Sequence, residues 1–389
     1  MQEPESNPAS KPKAPGLMAR ADRNRRDALN SILGGRLRKV EAQLCKPGAL
    51  PDRGIHSILV LRTNHRLGNT VLLSPLLREL EALYPGAEID ILASGGAAQI
   101  LYATRFQTHR VVTLARRMPR HPVQTLRLLR TVTGERYDLA IDASLDSIMG
   151  RMILGRCQAT HKLGFPLEMQ ADPGMAVYRD TCPDHFALRN VHLLRTAVGR
   201  SGESEWPRLN VNLSPAELAR GRQALAAILG GDAAPDGDDF VLGVFANATA
   251  DKRYPGNWWS DFMQAVHERH PAIRVVDVLA DHGRSQLPGD SHPFYSRDLR
   301  KLGSVLANMD GFISADCGVM HLASAAGVPT LGLFSRDNLD KYEPYGGHNA
   351  ALSTRGGVSA RDAARQAADW LDRVRQARAS GAHATGSCA

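Results

Sequence analysis

The sequence predicts an α/β protein of two Rossmann-like domains, each built on a parallel sheet, with the sheets facing an interdomain cleft. Three observations carry this. Apolar, strand-like runs alternate with helical patterns from residue 57 to 142 and again from residue 240 onward, which is how a parallel sheet covered on both faces reads. Residues 206–239 differ in character and end in the Gly/Asp-rich run GGDAAPDGDD, separating the two series. Residues 313–334, ISADCGVMHLASAAGVPTLGLF, read as a buried strand, a tight turn, a helix start and a second buried strand.

The elements follow in order. Residues 1–17 are rich in Pro, Ser and Lys, a composition that buries too little apolar surface to order itself. Residues 19–44 have a helical stripe of Leu29, Ile32, Leu33, Leu37, Val40 and Leu44, set among Arg25, Arg26, Arg36 and Lys39. Such a helix either docks on the protein's own surface or lies on anionic lipid, and Gly34-Gly35 weakens it in both cases. Residues 1–54 therefore read as a basic tail and amphipathic helix, and 55–205 as the first Rossmann-like domain. It opens with the strand SILVLR, the loop TNHRLGN and the helix TVLLSPLLRELEALYPG. Strands follow at Ile89–Leu92, Val111–Leu114 and Leu139–Asp142, with helices near Ala97–Ala103 and Val123–Thr131. A linker, 206–239, holds a strand and a helix. The second domain, 240–356, has strands at Phe240, Arg274–Leu279 and Phe312–Ser314 and a helix over Asn257–Arg269. Residues 357–389 form an amphipathic, Ala-rich helix over about Ser359–Arg378 and a frayed tail.

Composition narrows the function. The chain has 389 residues, 43% hydrophobic, enough for two cores. Aromatics are only 5%, against an aromatic platform for nucleic acid. Of the net charge of +8, residues 1–53 carry +5, which suits an anionic surface better than a nucleic-acid cleft. Five scattered cysteines form no C-x-x-C pair, so neither a disulfide framework nor a zinc site is expected, and a reducing cytoplasm is. No signal peptide and no spanning helix are expected.

The chemistry concentrates at Asp316, Gly318 and His321. A helix N-terminus offers free N–H groups and partial positive charge to a phosphate. Gly318 removes the Cβ that would hold a phosphate off, and His321 lies about one helical turn further on, facing the same ligand. The expected ligand is phosphorylated and sits at the carboxyl edge of a parallel sheet. The bland alternatives are that Asp316 only caps the helix, that His321 is a satisfied core residue and that Cys317 is inert.

Three segments in order, residues 58–92, 245–262 (FANATADKRYPGNWWSDF) and 313–346, resemble glycosyltransferase family 9, the heptosyltransferases of lipopolysaccharide core assembly. The resemblance spans about residues 56–375 and implies a GT-B fold, a sugar-nucleotide donor (usually ADP-heptose), an inverting transfer, and no essential metal or other cofactor. It places the donor in the second domain. Lys252, in Lys252-Arg253-Tyr254-Pro255, matches the Lys of the family's Lys-Arg-Trp-Pro. Asn247 and Thr249 add donors to the phosphates. Asp316, Cys317 and Gly318 match Asp-Thr-Gly, His321 matches the family His, and Asp337 lies in the loop that holds the donor. Without a metal, Lys252 and the helix dipole neutralise the leaving diphosphate.

Two departures stand out. The family's Leu-Gly-Asp, whose Asp is its general base, reads here Leu67-Gly68-Asn69. An inverting transfer needs a proton acceptor for the attacking hydroxyl, and Asn cannot serve. Either Asn69 positions the acceptor while His65, Asp142 or Asp146 takes the proton, or proton removal is late, or catalysis is lost. The family's nucleoside-contacting Glu has no counterpart in Ala280–Ser285, where Asp281 is the candidate replacement. The expected function is transfer of a sugar to a lipid-linked or surface-glycan acceptor at the inner face of a membrane. The competing classes are a sugar-nucleotide epimerase and a non-catalytic sugar-nucleotide binder or assembly partner. A dehydrogenase is disfavoured because RTNHRLGN lacks G-x-G-x-x-G.

Overall fold

The structure is a computed structural model. It describes residues 34–115, 122–167, 173–203, 205–231, 240–248, 252–255, 257–287, 289 and 291–380. Residues 34–41 are helical (α1). The first sheet then builds from β1 (Ser57–Arg62), α2 (Leu67–Val71), α3 (Ser74–Leu83), β2 (Glu88–Ser94), α4 (Ala97–Tyr102), β3 (Thr108–Leu114), α5 (Pro122–Thr133), β4 (Arg136–Asp142), α6 (Ile148–Arg156) and β5 (Gln158–Gly164). Two helices, α7 (Val177–Asp180) and α8 (Phe186–Ala197), complete this half. The strand order is β3-β2-β1-β4-β5, all parallel. Ile58, Leu59, Val60 and Leu61 of the central strand are fully buried. A continuous apolar run, rather than an alternating one, is what helices on both faces require. The single helix expected after the first loop is two: the ladder stops at Leu72–Leu73 and restarts at Ser74, because Pro75 has no N–H to continue it.

The expected linker strand is absent. Residues 205–214 cross without sheet pairing. Asn210 N–H donates to Ser74 Oγ and Val211 N–H to Ala325 O, so the segment's bonds go to a helix N-terminus and a helix end. The linker helix α9 (Pro215–Ile228) starts with a Ser214/Glu217 capping box. The second half follows as β6 (Phe240–Phe245), α10 (Trp258–Arg269), β7 (Ile273–Val278), β8 (His292–Phe294), α11 (Leu299–Leu306), β9 (Gly311–Ala315), α12 (Gly318–Ala326), β10 (Thr330–Phe334), α13 (Leu339–Tyr342), β11 (Ala350–Ser353) and α14 (Ala360–Ala379). The parallel order is β11-β10-β9-β6-β7-β8. In each sheet the order reverses beside its first strand, at β1/β4 and at β6/β9, which opens a crevice at the carboxyl edge.

The described part of the N-terminal helix is docked. Leu37, Val40 and Leu44 are buried, and Val40 lies so close over α6 that a Cβ on Gly155 would meet its Cγ2. Glu41 receives Arg151 Nη1 at 2.8 Å and Leu167 N–H at 3.0 Å. Cys45 N–H donates to Lys162 O at 2.7 Å, closing the β5 edge. The docked alternative is thus the one these side chains follow; Leu29, Ile32 and Leu33 lie outside the described residues. The two halves are joined by Glu217, whose carboxylate takes Arg105 Nη2 at 2.9 Å and both Arg300 Nε and Nη2 at 2.7 Å. These bonds, with those from Ser214, hold its carboxyl far below the usual range despite opposing burial.

Candidate functional site

The residues after β6 and β9 meet at the second sheet's crevice. Asp316 follows β9, and its N–H bonds Leu333 O. Its side chain is 6% exposed. Oδ2 receives Lys252 Nζ at 2.6 Å and Asn338 Nδ2 at 2.7 Å. Asp316 therefore holds the cation rather than capping α12. The cap position is Cys317, in extended backbone and with no side-chain cap bond. Burial raises its thiol pKa, while Ser314 and the N–H groups of Met320 and Val319 oppose the rise. Lys252 remains 28% exposed, 5.8 Å from the Tyr342 ring centroid. A cation held at its base and open at its side can meet a diphosphate beside the α12 N-terminus.

His321, one turn into α12, is 3% exposed, and its Nδ1 is buried without a partner. Desolvation pushes its pKa down to about 4; His185 and Lys252 add to this and Asp316 opposes it. The ring is therefore neutral at neutral pH. Asn247, after β6, is 5% exposed. Its Oδ1 accepts from Gln286 Nε2, and its Nδ2 has no partner. Asn338 Oδ1 is likewise buried and unpaired. Buried polar atoms in folded proteins are ordinarily bonded; these three, in the loops and helix at this carboxyl edge, have no partner within the protein.

The first domain meets this edge through α2, which lies on α12. A Cβ on Gly318 would stand 2.8 Å from Leu67 Cβ and 2.9 Å from Gly68 N. One on Gly68 would stand 2.8 Å from His321 Cδ2. Both glycines are thus needed for close approach, and Leu67, Gly68 and His321 form one interdomain contact. Asn69, next in the turn, is 9% exposed, and its backbone carbonyl accepts from Arg62 Nε at 3.2 Å. Arg62 also donates to Ala143 O, tying β1 to the turn after β4.

The other sequence candidates scatter. His65 is exposed in the loop before α2. Asp142 ends β4 but is wholly enclosed, beneath Gly150 and 3.8 Å from Arg151 Nε, with one oxygen unpaired. Its Oδ1 accepts a hydrogen bond from Ser144 N–H at 3.2 Å. Burial pushes its pKa up to about 7, with Arg151 and Arg62 opposing. As placed it reaches no acceptor hydroxyl. Asp146 is exposed and bound to Arg179 at 2.5 Å. Asp281 is exposed, and Asp337 is exposed and paired with Arg355 at 2.5 Å. Thr249 lies outside the described residues. Asn338, Gln286 and Arg62 are additions from the structure. Only Arg62 leaves a trace in sequence, as a charge closing an apolar strand.

A raised carboxyl pKa means that the fold favours neutral Asp142. Its contribution is complete below the ordinary 3.8 and is lost as pH rises through about 7. Asp142→Asn is therefore expected to gain stability relative to the parent at pH 8 over pH 5, by the order of 2 kcal/mol. Parallel slopes of melting temperature against pH in the two proteins would refute this.

Known proteins resemble this chain in sequence and in fold. The profile of Glycosyltransferase family 9 (heptosyltransferase) matches residues 125–366. The Lipopolysaccharide heptosyltransferase 1 of Pseudomonas aeruginosa is 25% identical over 296 residues, covering 72% of this chain and 79% of that protein. Among solved structures, a glycosyl transferase family 9 protein from Veillonella parvula matches with a TM-score of 0.65 at 15% identity, over 82% of this chain and 97% of its own. The E. coli ADP-heptose lps heptosyltransferase II matches with 0.61 at 18%, over 83% and 99%. E. coli heptosyltransferase WaaC with ADP matches with 0.58 at 17%, over 82% and 99%. The fold is that of the GT-B heptosyltransferases. With a profile that covers more than half its length, the chain belongs to glycosyltransferase family 9.

Proposed function

We propose that this protein transfers a heptose, with inversion and without a metal, from a nucleoside diphosphate donor of the ADP type to a lipopolysaccharide-core or other lipid-linked surface glycan, at the cytoplasmic face of the inner membrane. The observation that carries the reading is the Lys252–Asp316–Asn338 cluster beside the uncapped N-terminus of α12. It presents one held cation and a helix dipole where a leaving diphosphate needs both. His321 Nδ1 and Asn247 Nδ2 are left over for the same ligand. The relatives support the donor class: one solved neighbour is a complex with ADP and another with ADP-2-deoxy-2-fluoro heptose.

In this reading the acceptor hydroxyl attacks the anomeric carbon from the face opposite the diphosphate. The C–O bond to the leaving group breaks, and Lys252 and α12 receive its charge. The hydroxyl proton leaves to a base on the first domain. Asp142 is enclosed and Asp146 is bound to Arg179, so of the three candidates His65, exposed in the loop that leads into α2, is the one left to take it. Asn69 then shapes the turn, its carbonyl held by Arg62.

The test is calorimetric titration without metal against ADP, UDP, GDP and dTDP, followed by transfer assays with the matching sugar nucleotide. Selective binding of ADP and turnover are expected, and binding of none of the four would remove the donor assignment. The second reading, a non-catalytic sugar-nucleotide binder, is favoured by Asn69 alone. Asn69→Asp separates the two. A working base elsewhere predicts a change in turnover of no more than about threefold, whereas general-base catalysis created anew would raise it roughly a hundredfold.

A further inference from the structure

Five large apolar side chains stand exposed among the described residues, and three of them come from two helices in contact: Val123 at 64%, Leu126 at 50% and Met149 at 46%. They lie on α5 and α6, which are neighbours on the first sheet. Val123 and Met149 are in the first turns and Leu126 follows one turn into α5. Those first turns sit at the carboxyl edge because each helix follows a parallel strand. The link to the acceptor loop is direct: Ser147 Oγ, the cap of α6, is 3.1 Å from Thr63 Oγ1.

The two helices carry charge of one sign, and the acids that border them, Asp146 and Glu135, are engaged by Arg179 and Arg110. Neither PVQTLRLLRTVT nor IMGRMILGR contains Asp or Glu. Arg127, Arg130 and Arg156 are exposed on the two helices. α1, whose Val40 lies over Gly155 of α6, adds exposed Arg36, Arg38 and Lys39. Its one acid, Glu41, is already engaged by Arg151. Apolar tips in the first turns, with exposed cations further along the same helices and on α1, match an anionic bilayer, which takes the apolar atoms into its interfacial region and the guanidinium groups among its phosphates.

We propose that the α5–α6 face, bordered by α1, is the surface on which this protein rests against an anionic lipid membrane, bringing the acceptor loop to its lipid-linked substrate. The proposal rests on the lipid-linked acceptor of the preceding reading. It moves the membrane contact from the apolar stripe of residues 19–44, of which Leu37, Val40 and Leu44 are already buried in the protein, to a face that is open.

The test is co-sedimentation of the full chain with vesicles of phosphatidylcholine alone and of phosphatidylcholine with phosphatidylglycerol, with ADP titration in parallel. The parent is expected to bind the anionic vesicles and to be released by high salt. The pairs Val123→Glu with Leu126→Glu, and Arg127→Glu with Arg130→Glu, are each expected to lower vesicle binding by about tenfold with ADP affinity unchanged. Undiminished binding in both pairs, equal binding to neutral and anionic vesicles, or loss of self-association instead of vesicle binding would overturn the proposal. Failure of the parent to bind ADP while it still binds vesicles would sink the donor reading and leave this one standing.

Discussion

Lys252→Ala is expected to reduce turnover by roughly 10²–10³-fold, the effect of deleting a donor aimed at charge that develops in the transition state. Its cause is specific: Asp316 spends its Oδ2 on Lys252 and Asn338, fixing the ammonium where the α12 dipole also acts. The substitution should also cost about 1–3 kcal/mol of stability, because it strips the cation from a carboxylate that is 6% exposed. The cost stays below that of a fully buried pair because Lys252 is 28% exposed. Lys252→Ala with Asp316→Asn should recover most of that stability and none of the turnover. Thermal melts and kcat on the parent and the two variants check this, and recovered turnover in the double variant would remove Lys252 from the site.

Gly318→Ala should damage catalysis with a single added methyl group. The added carbon would stand 2.9 Å from Gly68 N, a backbone atom with no rotamer to escape into. The α2 and α12 lips must part, and a displacement on the order of 1 Å at the reacting groups costs about a hundredfold in rate. Alanine favours a helix over glycine by about 1 kcal/mol, so the melting temperature is expected to hold while kcat falls. ADP affinity should change by less than about fivefold, since Lys252, Asn247 and His321 belong to one domain. A parental kcat would show that the lips do not touch during catalysis. Gly68→Ala should be milder, because its carbon meets the His321 ring edge rather than backbone.

The fold was legible wherever burial on both faces writes an uninterrupted apolar run, as in SILVLR, FVLGVF and GFISA. It was not legible in β5, QATHKLG, whose His161 and Lys162 face the N-terminal segment, nor in the short strands β8 and β11, whose three and four residues carry no period. The linker strand misled because Leu209 and Val211 alternate with polar residues, yet both are buried between halves rather than in a ladder. At the site, Lys252, Asp316 and His321 could be grouped because a strand end and a helix start are local signals. Asn338 could not, since it joins Asp316 across 22 residues by folding alone. Asp142 looked like a cleft residue because it ends a strand. The chamber that shuts it in is made by Gly150 and Arg151, and nothing in the sequence marks either as its neighbour.

The docked N-terminal segment has a consequence for how the chain is made. Glu41, Gln43 and Cys45 bond to residues 110, 119 and 133 positions further on. The part of this sheet that leaves the ribosome first is therefore fastened last, after Arg151, Lys162 and Tyr178 have emerged. Until then the cationic residues of α1 and their apolar neighbours wait without a seat, and the β5 edge, once formed, has only this returning segment to close it. Docking of this segment thus closes a loop more than a hundred residues long, against the entropy of the chain between its ends.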